Sequence, residues 1–208
     1  MYHLPTYQEK DQARIVAFMR EYPFATLMGV SSEQQPVATQ IPILVKERDG
    51  QLFLTGHIMK QTDHHKAFLE NSQALVLFNG PHTYVSTSWY ENKQQASTWN
   101  YMTVHARGVM HYLPDEALPA MLDELTAHFE NNPNSPSLYK ELPAEYLQRL
   151  MKAIVAFEIK VEKADAIFKL SQNRDEKSFG QIIQKLQTGD CDAQKVAEEM
   201  KKIQPSLF

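Results

Sequence analysis

The stretch Gly56-His57-Ile58-Met59-Lys60-Gln61-Thr62-Asp63-His64-His65-Lys66 gathers histidines and lysines around one expected strand-to-helix junction. Thr62 or Asp63 is the N-cap its residue types predict. The free backbone N–H groups and positive dipole end of such a junction attract an anion. Lys60 and Lys66 add charge for a phosphate, and His57, His64 and His65 stand near as further donors. Asp63 opposes an anion if it faces the same way. The competing reading is a polar loop with solvated lysines. A metal reading would need His57, His64, His65 and His105 to converge. Neighbouring helical residues point about 100° apart, and Cys191 is the only cysteine. No metal is therefore expected.

A second chemistry is written in the aromatic segments. Tyr84-Val85-Ser86-Thr87-Ser88-Trp89-Tyr90 and Ser97-Thr98-Trp99-Asn100-Tyr101 hold both tryptophans, and Val104-His105-Ala106-Arg107-Gly108 follows closely. Ring faces beside hydroxyl and amide groups suit a planar heterocycle, which stacks on its faces and hydrogen-bonds at its edge. The same residues also fill barrel cores and subunit interfaces. Lys169-Leu170-Ser171-Gln172-Asn173-Arg174 reads as a strand-to-helix connection capped by Asn173 or Asp175. No serine, cysteine or carboxylate constellation announces nucleophilic or acid–base catalysis. None of the seven glycines forms a phosphate-binding Gly-rich loop.

The elements that must position these groups read as short strands interrupted by helices. Ile15, Phe18, Met19 and Tyr22 mark an amphipathic helix that Pro23 stops. Strand signals cover 24–31, 37–46 and 51–57, the last preceded by an Arg48-Asp49-Gly50 turn. Gly80-Pro81 is expected to turn the chain between strands 74–78 and 82–88. One strand or a pair covers 99–112. Residues 154–161 alternate, with Val155, Phe157, Ile159 and Val161 on one face. Helices are expected over 63–70, after Pro114, over 144–151, around Phe179–Leu186 and around Val196–Ile203. The pattern predicts an antiparallel barrel with peripheral helices, an α+β chain. A doubly wound parallel sheet needs a helix between every strand pair, which this order lacks.

The 208 residues are 43 % hydrophobic, enough for one sizeable core, and carry a formal charge of −4. That charge offers no basic footprint for nucleic acid. No run approaches the roughly 18 apolar residues of a membrane span. The polar start, residues 1–12, has no export signal, and the lone Cys191 fits a reducing compartment. A cytoplasmic protein is expected.

In order along the chain, these segments resemble the PaiB family of FMN-binding negative transcriptional regulators. The likeness rests on Met1-Tyr2 with Pro5, Pro23-Phe24-Ala25-Thr26-Leu27 and Gln40-Ile41-Pro42. It continues through Gly56-His57-Ile58, Gly80-Pro81-His82, Ser88-Trp89-Tyr90, Thr98-Trp99-Asn100-Tyr101, Val104-His105 and Lys169 to Arg174. The resemblance implies an FMN-binding split β-barrel, homodimeric, with the flavin at the subunit interface. It places residues 1–170 in the split-barrel domain and 171–208 in a helical extension of it. Lys60, Thr62 and Lys66 then meet the phosphate, Trp99 and Asn100 the ring, and His57 stands near. Family members typically carry Ala-Arg-Ala-Asn-Pro where this chain has Met59-Lys60-Gln61-Thr62-Asp63. Lysine keeps the charge of that arginine without its bidentate fork.

Three functions fit this sequence. One is a flavin-binding regulator. Basic and acidic residues from Lys160 onward nearly balance, so direct DNA contact has no charge support. Another is an FMN-dependent oxidoreductase related to pyridoxamine 5′-phosphate oxidase or flavin reductases, where the cofactor carries the chemistry. The third is a flavin-free or haem-handling relative.

Overall fold

The apolar stretches form strands, some paired across a tight turn as β-hairpins and others completed by a neighbour far along the chain. The computed structural model describes residues 4–204, and Met1 and Tyr2 lie outside the described residues. In chain order the elements are β1 (Gln8–Glu9), α1 (Gln12–Glu21), β2 (Phe24–Val30), β3 (Pro36–Pro42), β4 (Leu44–Arg48) and β5 (Gln51–Met59). Then come α2 (Asp63–Glu70), β6 (Gln73–Val85), β7 (Thr98–Tyr112), α3 (Leu118–Glu130) and α4 (Ala144–Ala153). β8 (Ile154–Lys169), α5 (Glu176–Leu186) and α6 (Cys191–Ile203) complete the described chain. The strands hydrogen-bond in the order β3-β2-β6-β7-β8-β5-β4, with β1 on β8. The pairings with recorded register are antiparallel. The chain forms two compact units, one of residues 19–78 and 106–164, the other of 4–18, 79–105 and 165–204.

In the first unit, Arg48 pairs with Gln51 across the expected Asp49-Gly50 turn. Both turn residues take positive φ, 52° and 73°, which Asp and Gly tolerate. Val155, Phe157, Ile159 and Val161 are all buried, as their alternation requires. They form the core with Leu27, Leu54 and Ile58. A Cβ on Gly29 would meet the Phe68 ring at 2.7 Å, so the absence of a side chain there lets α2 lie close on β2.

In the second unit, α5 and α6 bury Phe179, Ile182, Ile183, Val196 and Met200. Asp175 caps α5 by accepting from the Ser178 N–H at 2.8 Å, and Asp190 caps α6 from Ala193 at 2.9 Å.

Two expectations are corrected. Gly80-Pro81 does not turn the chain, because β6 runs unbroken through both. Gly50 is the only glycine with positive φ among the described residues. The fixed φ of proline suits extended backbone as well as a turn, and only a hydrogen bond is forgone. The single strand expected over 37–46 is two strands, broken between Pro42 and Leu44. Proline supplies no N–H for a ladder to continue.

Candidate functional site

Two groups of side chains carry the chemistry singled out in the sequence, one in each unit. The first group sits where β5 passes into α2. β5 pairs with β8 through His57 and Ala156, and the Lys60 N–H donates to the Ala153 carbonyl at 2.8 Å. Gln61 then turns with φ 69°, a left-handed conformation costly for a residue with a Cβ. Its N–H donates to His65 Nδ1 at 3.4 Å. Thr62 is the N-cap: its Oγ1 accepts from the His65 N–H at 3.3 Å and donates to the Met59 carbonyl at 2.9 Å. His64 is held between Thr62 Oγ1 and Asp63 Oδ1, each 3.0 Å away. The Tyr112 hydroxyl donates to the His65 carbonyl at 3.0 Å, and burial pushes its pKa up to about 12. The junction is therefore fixed by its own side chains.

Lys60 pairs with Asp115 at 3.1 Å, and Lys66 is exposed on the first turn of α2. His57 Nδ1 is buried and meets no partner among the described residues, and the same holds for Thr55 Oγ1 two residues earlier on β5. Residues two apart on a strand share a face. A buried, unsatisfied hydrogen-bonding atom is costly, and two on one strand face suit a polar ligand. Burial holds the His57 pKa below 6.5 and does the same for His65, where the His64, Lys60 and Lys66 charges add to it. The N–H of His64 chiefly lowers the pKa of exposed Asp63.

Those histidine shifts fix a sign. Between the depressed folded values and 6.5 the unfolded chain binds more protons, so stability is present above pH 6.5 and falls as the medium is acidified. Urea midpoints should drop between pH 7.5 and 5. His57→Gln should flatten that decline, and an identical decline would remove His57 as its source.

The second group centres on Trp99, which leaves 53 % of its surface exposed on β7. Tyr84 approaches it edge-on at 6.0 Å between ring centres, and His82 lies at 6.2 Å. Lys169, buried at the end of β8, donates to the Trp99 carbonyl at 2.7 Å and to Thr98 Oγ1. Burial, then the Arg174 charge, lowers its pKa. Asn100 is fully buried: its Oδ1 accepts from the Ser171 hydroxyl at 3.0 Å, and its amide faces Met200 Sδ at 3.5 Å. Ser171 sits at φ 61°, so this hydrogen bond fastens a strained residue. Asn100→Ala should leave the buried Ser171 hydroxyl unpaired and cost about 2 kcal/mol in a denaturant titration.

Lys60, Thr62, Lys66 and His57 thus lie in one unit, and Trp99 and Asn100 in the other. Lys169, Asp115, Tyr112 and Thr55 were not among the expected site residues. Lys169 alone carried a signal, as a lysine between Phe168 and Leu170 at the end of an apolar strand. His105 is half-buried on β7. Among the described residues no three His, Cys, Asp or Glu side chains gather as metal ligands.

The family model described as "Putative FMN-binding domain" matches residues 1–163. The chain belongs to this FMN-binding family. It is 34 % identical to the Bacillus subtilis "Protease synthase and sporulation protein PAI 2" over 95 % of this chain and 96 % of that one. The expected likeness to PaiB is thereby established. Among solved structures, the FAD and haem binding protein from Mycobacterium smegmatis is similar with TM-score 0.59 at 22 % identity, over 78 % of this chain and 73 % of that one. The flavocytochrome Anf3 from Azotobacter vinelandii has TM-score 0.56 at 16 % identity, over 81 % and 72 %. The fold is the expected split β-barrel, antiparallel with six helices, and its cofactor is FMN. In the first unit, cations at a capped helix start suit a phosphate and the unsatisfied atoms on β5 suit a polar group; in the second unit, an exposed indole suits a flat ring. No helix among the described residues is long and apolar enough to cross a membrane.

Proposed function

We propose that this chain is a cytoplasmic homodimer that binds FMN at its subunit interface and acts as a PaiB-type negative transcriptional regulator. The observation that carries the flavin assignment is the β5–α2 junction, where Lys60 and Lys66 flank a helix start and His57 Nδ1 and Thr55 Oγ1 lack partners. The phosphate is assigned to Lys60, Thr62 and Lys66. Thr62 acts by capping, since its hydroxyl is already engaged, and so keeps the α2 N–H groups oriented. Trp99 offers its exposed face to the ring. Asn100 and Lys169 hold the backbone that presents it.

When bound, the flavin supplies one- or two-electron transfer. The balanced charge favours regulation through a partner or through the bound flavin over direct DNA contact. The alternative is an FMN-dependent oxidoreductase related to pyridoxamine 5′-phosphate oxidase or flavin reductases. Neutral His57 favours it, because an open ring nitrogen is able to hold or accept a proton beside a redox cofactor. An absorbance and fluorescence titration of the purified protein with FMN, beside a gel-filtration mass, tests the main reading. A dimer binding FMN at micromolar or lower concentration supports it; a monomer, or a dimer indifferent to FMN, overturns it. NAD(P)H oxidation by the loaded dimer would favour the oxidoreductase.

A further inference from the structure

We infer that the groove between α5 and the 88–93 segment is a second ligand site, one that takes a phosphate group carried on a planar ring. It holds about 460 Å³, within the range of small-molecule pockets. The amphipathic pattern of α5 builds one wall. Phe179, Ile182, Ile183 and Leu186 are buried, which leaves Lys177, Gln181, Gln184 and Lys185 on the outer face lining the groove. The opposite wall is pinned to the helix. The Glu91 N–H donates to the buried Ser178 hydroxyl at 2.9 Å, and Lys177 pairs with Glu91 at 2.6 Å.

That pairing uses up the one carboxylate on the lining. Lys93 and Lys185 have no carboxylate within ion-pair distance among the described residues, so the groove keeps an excess positive charge. Arg174 adds to it from behind, with its guanidinium carbon 4.3 Å from the Tyr90 ring centre. The second observation is independent of charge. Tyr90 lines the groove yet is only 1 % exposed, and its hydroxyl is buried without a partner. Native structures rarely leave a phenol so, and a ligand oxygen or a water held by a ligand is the kind of partner it lacks. Half-buried Trp89 on the same lining offers a ring for stacking. Two ammonium groups, glutamine amides and a phenol suit a dianion, and the indole suits a flat body. The chemistry matches the nucleotide class. None of these residues is among those assigned to the flavin.

The test is calorimetric titration of the FMN-saturated full chain with adenosine 5′-monophosphate, and separately with inorganic phosphate. The expected Kd for the nucleotide is about 0.1–1 mM, an affinity reachable with two ion pairs and one stacked ring. Phosphate should bind at least tenfold more weakly. Lys93→Glu combined with Lys185→Glu should weaken nucleotide binding at least tenfold and leave FMN affinity unchanged, which also shows that the variant folds. Lys60→Glu should do the reverse. An absent heat, equal affinity for phosphate, indifference to the double variant, or nucleotide displacing FMN would each overturn the second site. Displacement alone would leave FMN binding intact while moving it to this groove.

Discussion

Lys60→Glu should weaken FMN binding well beyond tenfold in a fluorescence titration while the far-ultraviolet circular dichroism stays unchanged. Lys60 lies just beyond the end of β5, and its backbone is tied to the end of α4 by the bond from its N–H to the Ala153 carbonyl. Its side chain is only 28 % exposed, so its charge is less screened than that of open Lys66. Reversal removes an attraction and adds a repulsion at the same place, and each tenfold loss is about 1.4 kcal/mol. The fold should survive because the only side-chain partner lost among the described residues is Asp115, itself 70 % exposed. Such surface pairs contribute about 0–1 kcal/mol. Asp115 also gives the prediction a second arm of opposite sign. Asp115→Asn frees Lys60 and should tighten FMN binding by about two- to fivefold, the same 0–1 kcal/mol returned. If Lys60→Glu binds FMN like the unaltered protein, the phosphate assignment is lost.

Gly108→Ala should be among the most destabilising single changes in the chain, by about 3 kcal/mol in urea-induced unfolding. An added Cβ would stand 2.0 Å from the Lys160 carbonyl oxygen, and 3.1 Å from an Ile159 methyl. The first obstacle is backbone, so no rotamer change relieves it. β7 and β8 would have to move apart where β8 also pairs with β5, which leads into α2. The loss should therefore appear in FMN affinity as well as in the urea midpoint. Gly180→Ala is the control: nothing lies within 4 Å of its Cβ, and alanine is the better helix former inside α5. A Gly108→Ala midpoint matching that of Gly180→Ala would refute the close approach.

Much of the fold was legible because local rules and tertiary packing agreed. The stripe at Ile15, Phe18 and Met19 is buried as a helix face, and α2 begins after Thr62 as its residue types require. Gly80-Pro81 misled because a turn dipeptide is permitted in a turn without being confined to one. β6 lies between β2 and β7 in the sheet, and no dipeptide rule reads that pairing. At the site, the cations and the indole could be read from residue type. Asp115 lies 55 residues from Lys60, and Lys169 lies 70 from Trp99. No spacing rule reaches those distances. Asn100 shows the same limit, since an amide beside a tryptophan reads as a ligand donor until Ser171 and Met200 are seen to enclose it.

The interleaving of the two units bears on how the chain leaves the ribosome. Residues 19–78 and 106–164 complete one unit, whereas the other still lacks everything from 165 onward. At roughly 5–20 residues per second, making the 44 residues 165–208 takes about 2–9 s. Throughout that interval Tyr90 waits for Arg174, and Asn100 for Ser171 and Met200. Stop codons just after residue 164 should therefore yield aggregates in place of a folded shorter product, as a sedimentation assay would show.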